Sequence, residues 1–275
     1  MKPSVFQVAV LASGSKGNST LVRCSAGNFL VDMGISCRRV KTALQDLQLR
    51  LEDLTAVFVT HEHIDHVRGL ATFLKQYDVP VYASGGTWRG MQATCRSDFS
   101  DQPVRHILTP GDSVVFPGLR VESFPTSHDA LQPSGYVFHL GDHRFGYLTD
   151  TGYVSDQARR ALDGAEVLVL ETNHDMFMLK NGPYPMALKK RILSAKGHLA
   201  NDAAARFLAS LEQLPQEVFL AHLSQENNTP QVALATVEGL VRQQRPAAEI
   251  QFFVTGQETV TRNEEWRMTY ETSLF

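Results

Sequence analysis

The chain is short of cysteine, of long apolar runs and of net charge, and each shortage removes a class of protein. Its 275 residues contain three cysteines, Cys24, Cys37 and Cys95, with no Cys-x-x-Cys spacing. So odd and sparse a set argues against a disulfide framework and fits a reducing compartment. No apolar run approaches the ~20 residues that cross a bilayer. The early stretch VFQVAVLA is short, carries Gln7 and lacks a strong basic flank. It reads as a core strand rather than a signal peptide, and the expected compartment is the cytoplasm, with no membrane partner. The formal net charge of −3 gives no global sign of a polyanion ligand, which leaves only a local basic patch to hold one. No repeat or low-complexity linker divides the chain, so residues 1–275 are expected to form one domain, although length alone also permits two small ones.

What is present alternates between strand and helix signals. VFQVAVLA, TLVRC and NFLVDMG read as strands around the Gly/Ser turn SGSKGNS. Val40, Leu44 and Leu47 recur at helical spacing. TAVFVTH suits a buried strand, HVRGLATFLKQY a helix and PVYAS a strand. Residues 104–152 are dominated by strands, with turns at Pro117-Gly118 and Gly141-Asp142. Then follow a helix with Ser155 at its N-cap and the strand AEVLVLETNH. PYPMALKKRILSAKG and NDAAARFLASLEQL read as helices, the second capped by Asn201 or Asp202. EVFLAHLS (strand), TPQVALATVEGLVRQQ (helix) and IQFFVTG (strand) complete the series. This order implies a layered α/β fold, and two similar halves would make it a four-layer αββα sandwich.

The densest chemistry lies in VTHEHIDHVRG, residues 59–69. His61, His63, Asp65 and His66 fall just after a strand and just before a helix, where chemistry commonly sits. Three imidazoles and a carboxylate within six residues supply nitrogen and oxygen donors for a divalent metal. Donors this dense cannot all meet one ion. His61 and His63 can converge on one metal while Asp65 and His66, past the bend, face another. A separate histidine, His198 in KGHLAND, is open to three readings: a further ligand, a proton donor, or an ordinary histidine at a helix start.

THEHIDH resembles the signature of the metallo-β-lactamase fold, and the other motifs of that family occur in order along nearly the whole chain. They are Asp32 in FLVDMG, His128 in PTSHDA, Asp150 in GYLTDTG and His222 in FLAHLS. The resemblance implies two divalent ions, zinc or manganese. Metal one would take His61, His63 and His128; metal two would take Asp65, His66 and His222, with Asp150 bridging. Asp32 would support the metal loop rather than bind metal.

Within the superfamily, VLVLETNHD followed by GHLAND resembles the Glu loop and His loop of tRNase Z, in which the Glu orients a His that protonates the leaving oxygen. Glu171 and His198 match them, but Leu199 and Ala200 stand where that family has hydroxyl residues. A fuller match is to the YycJ/WalJ group of bacterial metallo-hydrolases. It is carried by ASGSKGNST, SHDALQPSGY, TDTG, ETNHDMFMLKNGPYPMALKKRI, GHLAN and HLSQENN. This resemblance implies a metal-dependent phosphodiesterase, a 5′→3′ exonuclease on DNA, with Asp65, Glu171 and His198 as catalytic groups. The competing expectation is a small-molecule hydrolase of the same fold, either a cyclic phosphodiesterase or a glyoxalase II-like thioesterase. Lys180, Lys189, Lys190, Arg191 and Lys196 fall in a stretch free of acidic residues that leads into His198. Such a segment suits a phosphate backbone and equally a solvated helix face. Tyr184, in the Gly/Pro loop KNGPYP, is placed either to stack on a base or to pack at a helix start.

Overall fold

The computed structural model describes residues 5–263. The first sheet contains β1 (Gln7–Ala12), β2 (Ser19–Cys24), β3 (Gly27–Val31), β4 (Ala56–Phe58), β5 (Val81–Ala83) and β6 (Arg105–Ile107). The second contains β7 (Ser113–Phe116), β8 (Leu119–Pro125), β9 (Ser134–Leu140), β10 (His143–Leu148), β11 (Val167–Glu171), β12 (Glu217–Ala221) and β13 (Gln251–Val254). A last strand, β14 (Thr261–Arg262), returns to pair with β1. The orders are β14-β1-β2-β3-β4-β5-β6 and β13-β12-β11-β10-β9-β8-β7. In each sheet an antiparallel part joins a parallel part: β3 to β6 run parallel in the first, β10 to β13 in the second.

Strand side chains alternate between two faces, and that alternation builds three apolar layers. Val8 and Val10 face the second sheet, joining Phe29, Phe58, Tyr136, Phe138, Phe145 and Phe219 between the sheets. Phe58 stands 5.3 Å, ring centre to ring centre, from both Tyr136 and Phe138. Ala9 and Leu11 point the other way, into a layer with α1 (Cys37–Asp46), α3 (Leu70–Phe73) and α4 (Gly85–Cys95). The outer face of the second sheet packs on α5 (Asp156–Leu162), α8 (Asn201–Ser210) and α9 (Pro230–Gln244). The result is the αββα sandwich that the pattern implied. Both hairpin turns fall where expected, closing Phe116 on Leu119 and Leu140 on His143. Ser155 caps α5 by accepting the Ala158 N–H.

Three departures from the local reading have a physical reason. The helix expected from His66 is broken into α2 (Ile64–Val67) and α3, because the chain turns at Gly69 against the loop after β3. There Gly69 N–H donates to Met33 O, and a Cβ would lie 2.5 Å from Ile35 O. The N-cap of α8 is Ala200, not Asn201 or Asp202; Asn201 is buried and turned to Asn228. Helix α4 was not anticipated at all, since its three glycines and Thr87 are poor helix formers. Two further short helices, α6 (Met176–Asn181) and α7 (Met186–Ile192), flank the Tyr184 loop.

One α4 glycine is set by packing against the loop of interest. A Cβ on Gly90 would lie 2.4 Å from Cγ of Glu62, whose Oε1 accepts the Leu131 N–H at 2.7 Å. Overpacking a filled site costs about 1–3 kcal/mol, against ~1 kcal/mol gained by replacing a mid-helix glycine. Gly90→Ala is therefore expected to melt below wild type in calorimetry. An equal or higher melting temperature would mean that Glu62 yields freely.

Candidate metal centre

The parallel strands of both sheets end at one edge, where ligands commonly bind in α/β folds. Asp32 follows β3, residues 60–66 follow β4, Asp150 follows β10, Glu171 ends β11 and His222 follows β12. His128 lies in the loop between β8 and β9, and His198 just before α8. Asp32, Asp150 and His222 adopt left-handed backbone, with φ of 62°, 54° and 56°. For residues other than glycine such angles cost roughly 1–3 kcal/mol each and cluster at functional sites. Here each turns a side chain inward directly after a strand.

The seven expected ligand residues come together. His61, His63 and His128 offer donor atoms within 4.8 Å of one another, and so do Asp65, His66 and His222. Between the two groups stands Asp150. Its Oδ2 is 3.2 Å from His66 Nε2 and 2.9 Å from His222 Nδ1, and its Oδ1 is 3.7 Å from His128 Nε2. Asp150, His61, His66, His128 and His222 are all buried.

Neighbouring groups fix how these rings face. Thr60 N–H and Oγ1–H bind the Asp32 carboxylate, and Asp32 Oδ2 lies 2.7 Å from His66 Nδ1, leaving His66 Nε2 toward Asp150. Thr60 Oγ1 also lies 3.0 Å from His61 Nδ1. His128 Nδ1 donates to Gly197 O at 3.0 Å. The Asn18 amide touches Asp65 O and His66 Nε2. Such outer contacts select the tautomer of a metal-binding histidine. Asp32 was expected in this part; Thr60 and Asn18 were not. Both lie inside quoted motifs, beside a histidine and in the Gly/Ser loop, but neither residue type signals the contact by itself.

The electrostatics fit a cation. Burial drives the His61 pKa well below its ordinary value, toward the neutral form that ligates metal. Burial opposes charge on His66 too, but Asp150, Asp32 and Asp65 outweigh it and hold its pKa well above the usual range. Burial would raise Asp150, yet the charges of His222 and His66 keep it well below the carboxylate range. The buried carboxylates thus retain positive charge by protonating an imidazole, a place that a divalent ion can take. Nitrogen and oxygen donors suit zinc or manganese.

His198 and Glu171 form a separate pair. His198 Nδ1 is 2.6 Å from Glu171 Oε1, and Glu171 Oε2 accepts the Thr151 N–H. Burial lowers the His198 pKa, but the Glu171 charge and hydrogen bond outweigh that and lift it to about 9. His198 Nε2 has no hydrogen-bond partner among the described residues, and the ring lines a cleft of about 200 Å³ beside His63, Asp65, Asp150 and His222. Another donor group, Asp150, Glu171, His198 and His222, also has the spacing of a metal site. The loop is held closely: His198 N–H donates to Ile192 O, and a Cβ on Gly197 would lie 2.0 Å from that same oxygen. Leu199, where the tRNase Z-like pattern has a hydroxyl, is buried in the core beside α8. The His174 ring is buried, with neither nitrogen partnered among the described residues.

The basic stretch is divided. Arg191 and Lys196 line the cleft, whereas Lys189 donates to Lys180 O outside it. Arg191 is neutralised by Asp129 at 2.7 Å. Among the described residues no helix is long and apolar enough to cross a membrane.

Comparison with known proteins agrees with this geometry. Residues 27–223 match the model of the β-lactamase superfamily domain. The exodeoxyribonuclease YycJ of Bacillus anthracis is 39% identical over 236 residues, covering 86% of this chain and 89% of that protein. The exodeoxyribonuclease WalJ of Streptococcus pneumoniae is 37% identical over 259 residues, covering 93% of this chain and 96% of that protein. In fold, the chain matches the metallo-β-lactamase fold protein YhfI of Bacillus subtilis with a TM-score of 0.69 at 15% identity, covering 94% of this chain and 99% of that one. The chain therefore belongs to the β-lactamase superfamily and, within it, to the family of the YycJ and WalJ proteins.

Proposed function

We propose that the protein is a two-metal exonuclease that removes nucleotides from DNA in the 5′→3′ direction in the cytoplasm. His61, His63 and His128 would hold one ion, and Asp65, His66 and His222 the other, with Asp150 shared. Divalent ions bound there would supply an activated water and neutralise charge on the phosphoryl oxygens. Hydrolysis forms a bond from water oxygen to phosphorus and breaks the bond from phosphorus to O3′. His198 delivers the proton that O3′ needs, and Glu171 orients the ring through Nδ1 so that Nε2 faces the cleft. Lys196, which has no carboxylate partner among the described residues, faces the phosphate backbone from the cleft wall.

The observation that carries this reading is the Glu171–His198 pair. It stands beside a donor set that is complete without it, and its Nδ1 is 3.7 Å from the shared Asp150. A thiol leaving group needs little protonation, so a thioesterase would have no use for this acid; an alkoxide leaving group does need it.

Metal-loaded protein incubated with 5′- or 3′-labelled DNA and RNA is expected to release mononucleotides from the 5′ end of DNA. Inertness on every nucleic acid, with hydrolysis of a thioester, would overturn the reading.

The residues should separate by metal content. His63→Ala and Asp150→Ala are expected to lose bound metal and activity together, as read by elemental analysis. His198→Ala is expected to keep the metal and lose roughly 10²–10⁴-fold in kcat. An acid works only while protonated, so the wild-type rate should fall as pH rises through the His198 pKa. Bound cations would set that pKa below its metal-free value of about 9. His198→Ala should lack this alkaline limb. Metal loss in His198→Ala would show it to be a ligand instead.

A further inference from the structure

We infer that Tyr184 is the platform on which the base of the terminal nucleotide stacks. The inference rests on the nuclease reading above and adds the subsite that grips the departing unit. One side of the cleft carries metal-centre residues, and Tyr184, Leu188 and Ile192 form an apolar wall in the same cleft, with Lys196 beside it. Apolar surface with a cation next to it matches a nucleotide, which has a flat base and an anionic phosphate.

Tyr184 is presented rather than packed away. It is partly exposed, and among the described residues its hydroxyl has no hydrogen bond and its ring no aromatic neighbour. It sits between Pro183 and Pro185, in the link from α6 to α7. A following proline confines a residue to extended backbone, and Pro185 itself is the N-cap of α7, with φ −57°. At the other end of the link, a Cβ on Gly182 would lie 2.6 Å from Asn227 Oδ1 and 2.7 Å from Met178 O. So constrained a link fixes the backbone from which the ring projects.

The subsite lies on the leaving-group side. Tyr184, Leu188, Ile192 and Lys196 belong to the chain segment that runs into His198, the group placed to protonate O3′. In 5′→3′ removal that oxygen belongs to the terminal nucleotide, so its base is the one within reach of Tyr184.

The test compares two single-stranded substrates on the same protein, one with a normal 5′-terminal nucleotide and one with an abasic 5′-terminal unit. Wild type should favour the base-bearing end in kcat/KM by on the order of 10- to 100-fold. Tyr184→Phe should keep that preference, and Tyr184→Ala should bring the ratio close to one. Because the ratio is taken within each protein, partial loss of folded enzyme cancels. A wild type that does not discriminate, or a preference that survives in Tyr184→Ala, overturns the platform while leaving the nuclease reading intact. Cleavage of neither substrate overturns both.

Discussion

The carboxylate of Asp150 touches histidines from four different segments: His66, His128, His198 and His222. A buried anion of this kind is tolerable only if positive charge surrounds it. Without a cation, that charge comes from a proton on His66, and the neighbouring carboxylates stabilise it. The same centre can exchange the proton for divalent ions, because the imidazole nitrogens around Asp150 already lie within ligand spacing of it and of one another. The two donor triads, the acid pair and the cleft are all arranged around this one side chain.

The sandwich makes that arrangement rigid. Parallel strands of both sheets end at the same edge, and three residues leave those ends with left-handed backbone. The local strain is held by the aromatic layer between the sheets and by hydrogen bonds such as Thr60 to Asp32. The loop bearing His198 is fixed through Gly197 against Ile192 and through His128 Nδ1. The last contact links a residue of one donor triad to that loop, so the positions of His128 and His198 are set together.

Much of this was legible in the sequence because the informative residues are either adjacent or ordered. His61, His63, Asp65 and His66 announce themselves by local density. His128, Asp150 and His222 are single residues far apart, and only the resemblance to a known family joined them to the cluster. The layered fold followed from the order of strand and helix signals along the chain, and strands such as β1, whose Val8 and Ala9 serve different layers, build it. What escaped depends on long-range packing. Helix α4 is built on glycines that local propensity counts against, since Gly90 must clear Glu62. Asn201 looks like a cap, yet it is claimed by Asn228, 27 residues away. The basic stretch looked uniform, but Asp129, distant in sequence, neutralises Arg191 and leaves Lys196 as the cleft cation without a carboxylate partner among the described residues.

The central claim is that Asp150 is shared by two metal ions while His198 remains free as a proton donor. Anomalous diffraction from crystals grown with manganese tests it most directly. The account predicts two peaks flanking Asp150, one bonded to His61, His63 and His128 and the other to Asp65, His66 and His222, with neither bonded to His198. A peak seated among Asp150, Glu171, His198 and His222 would contradict it.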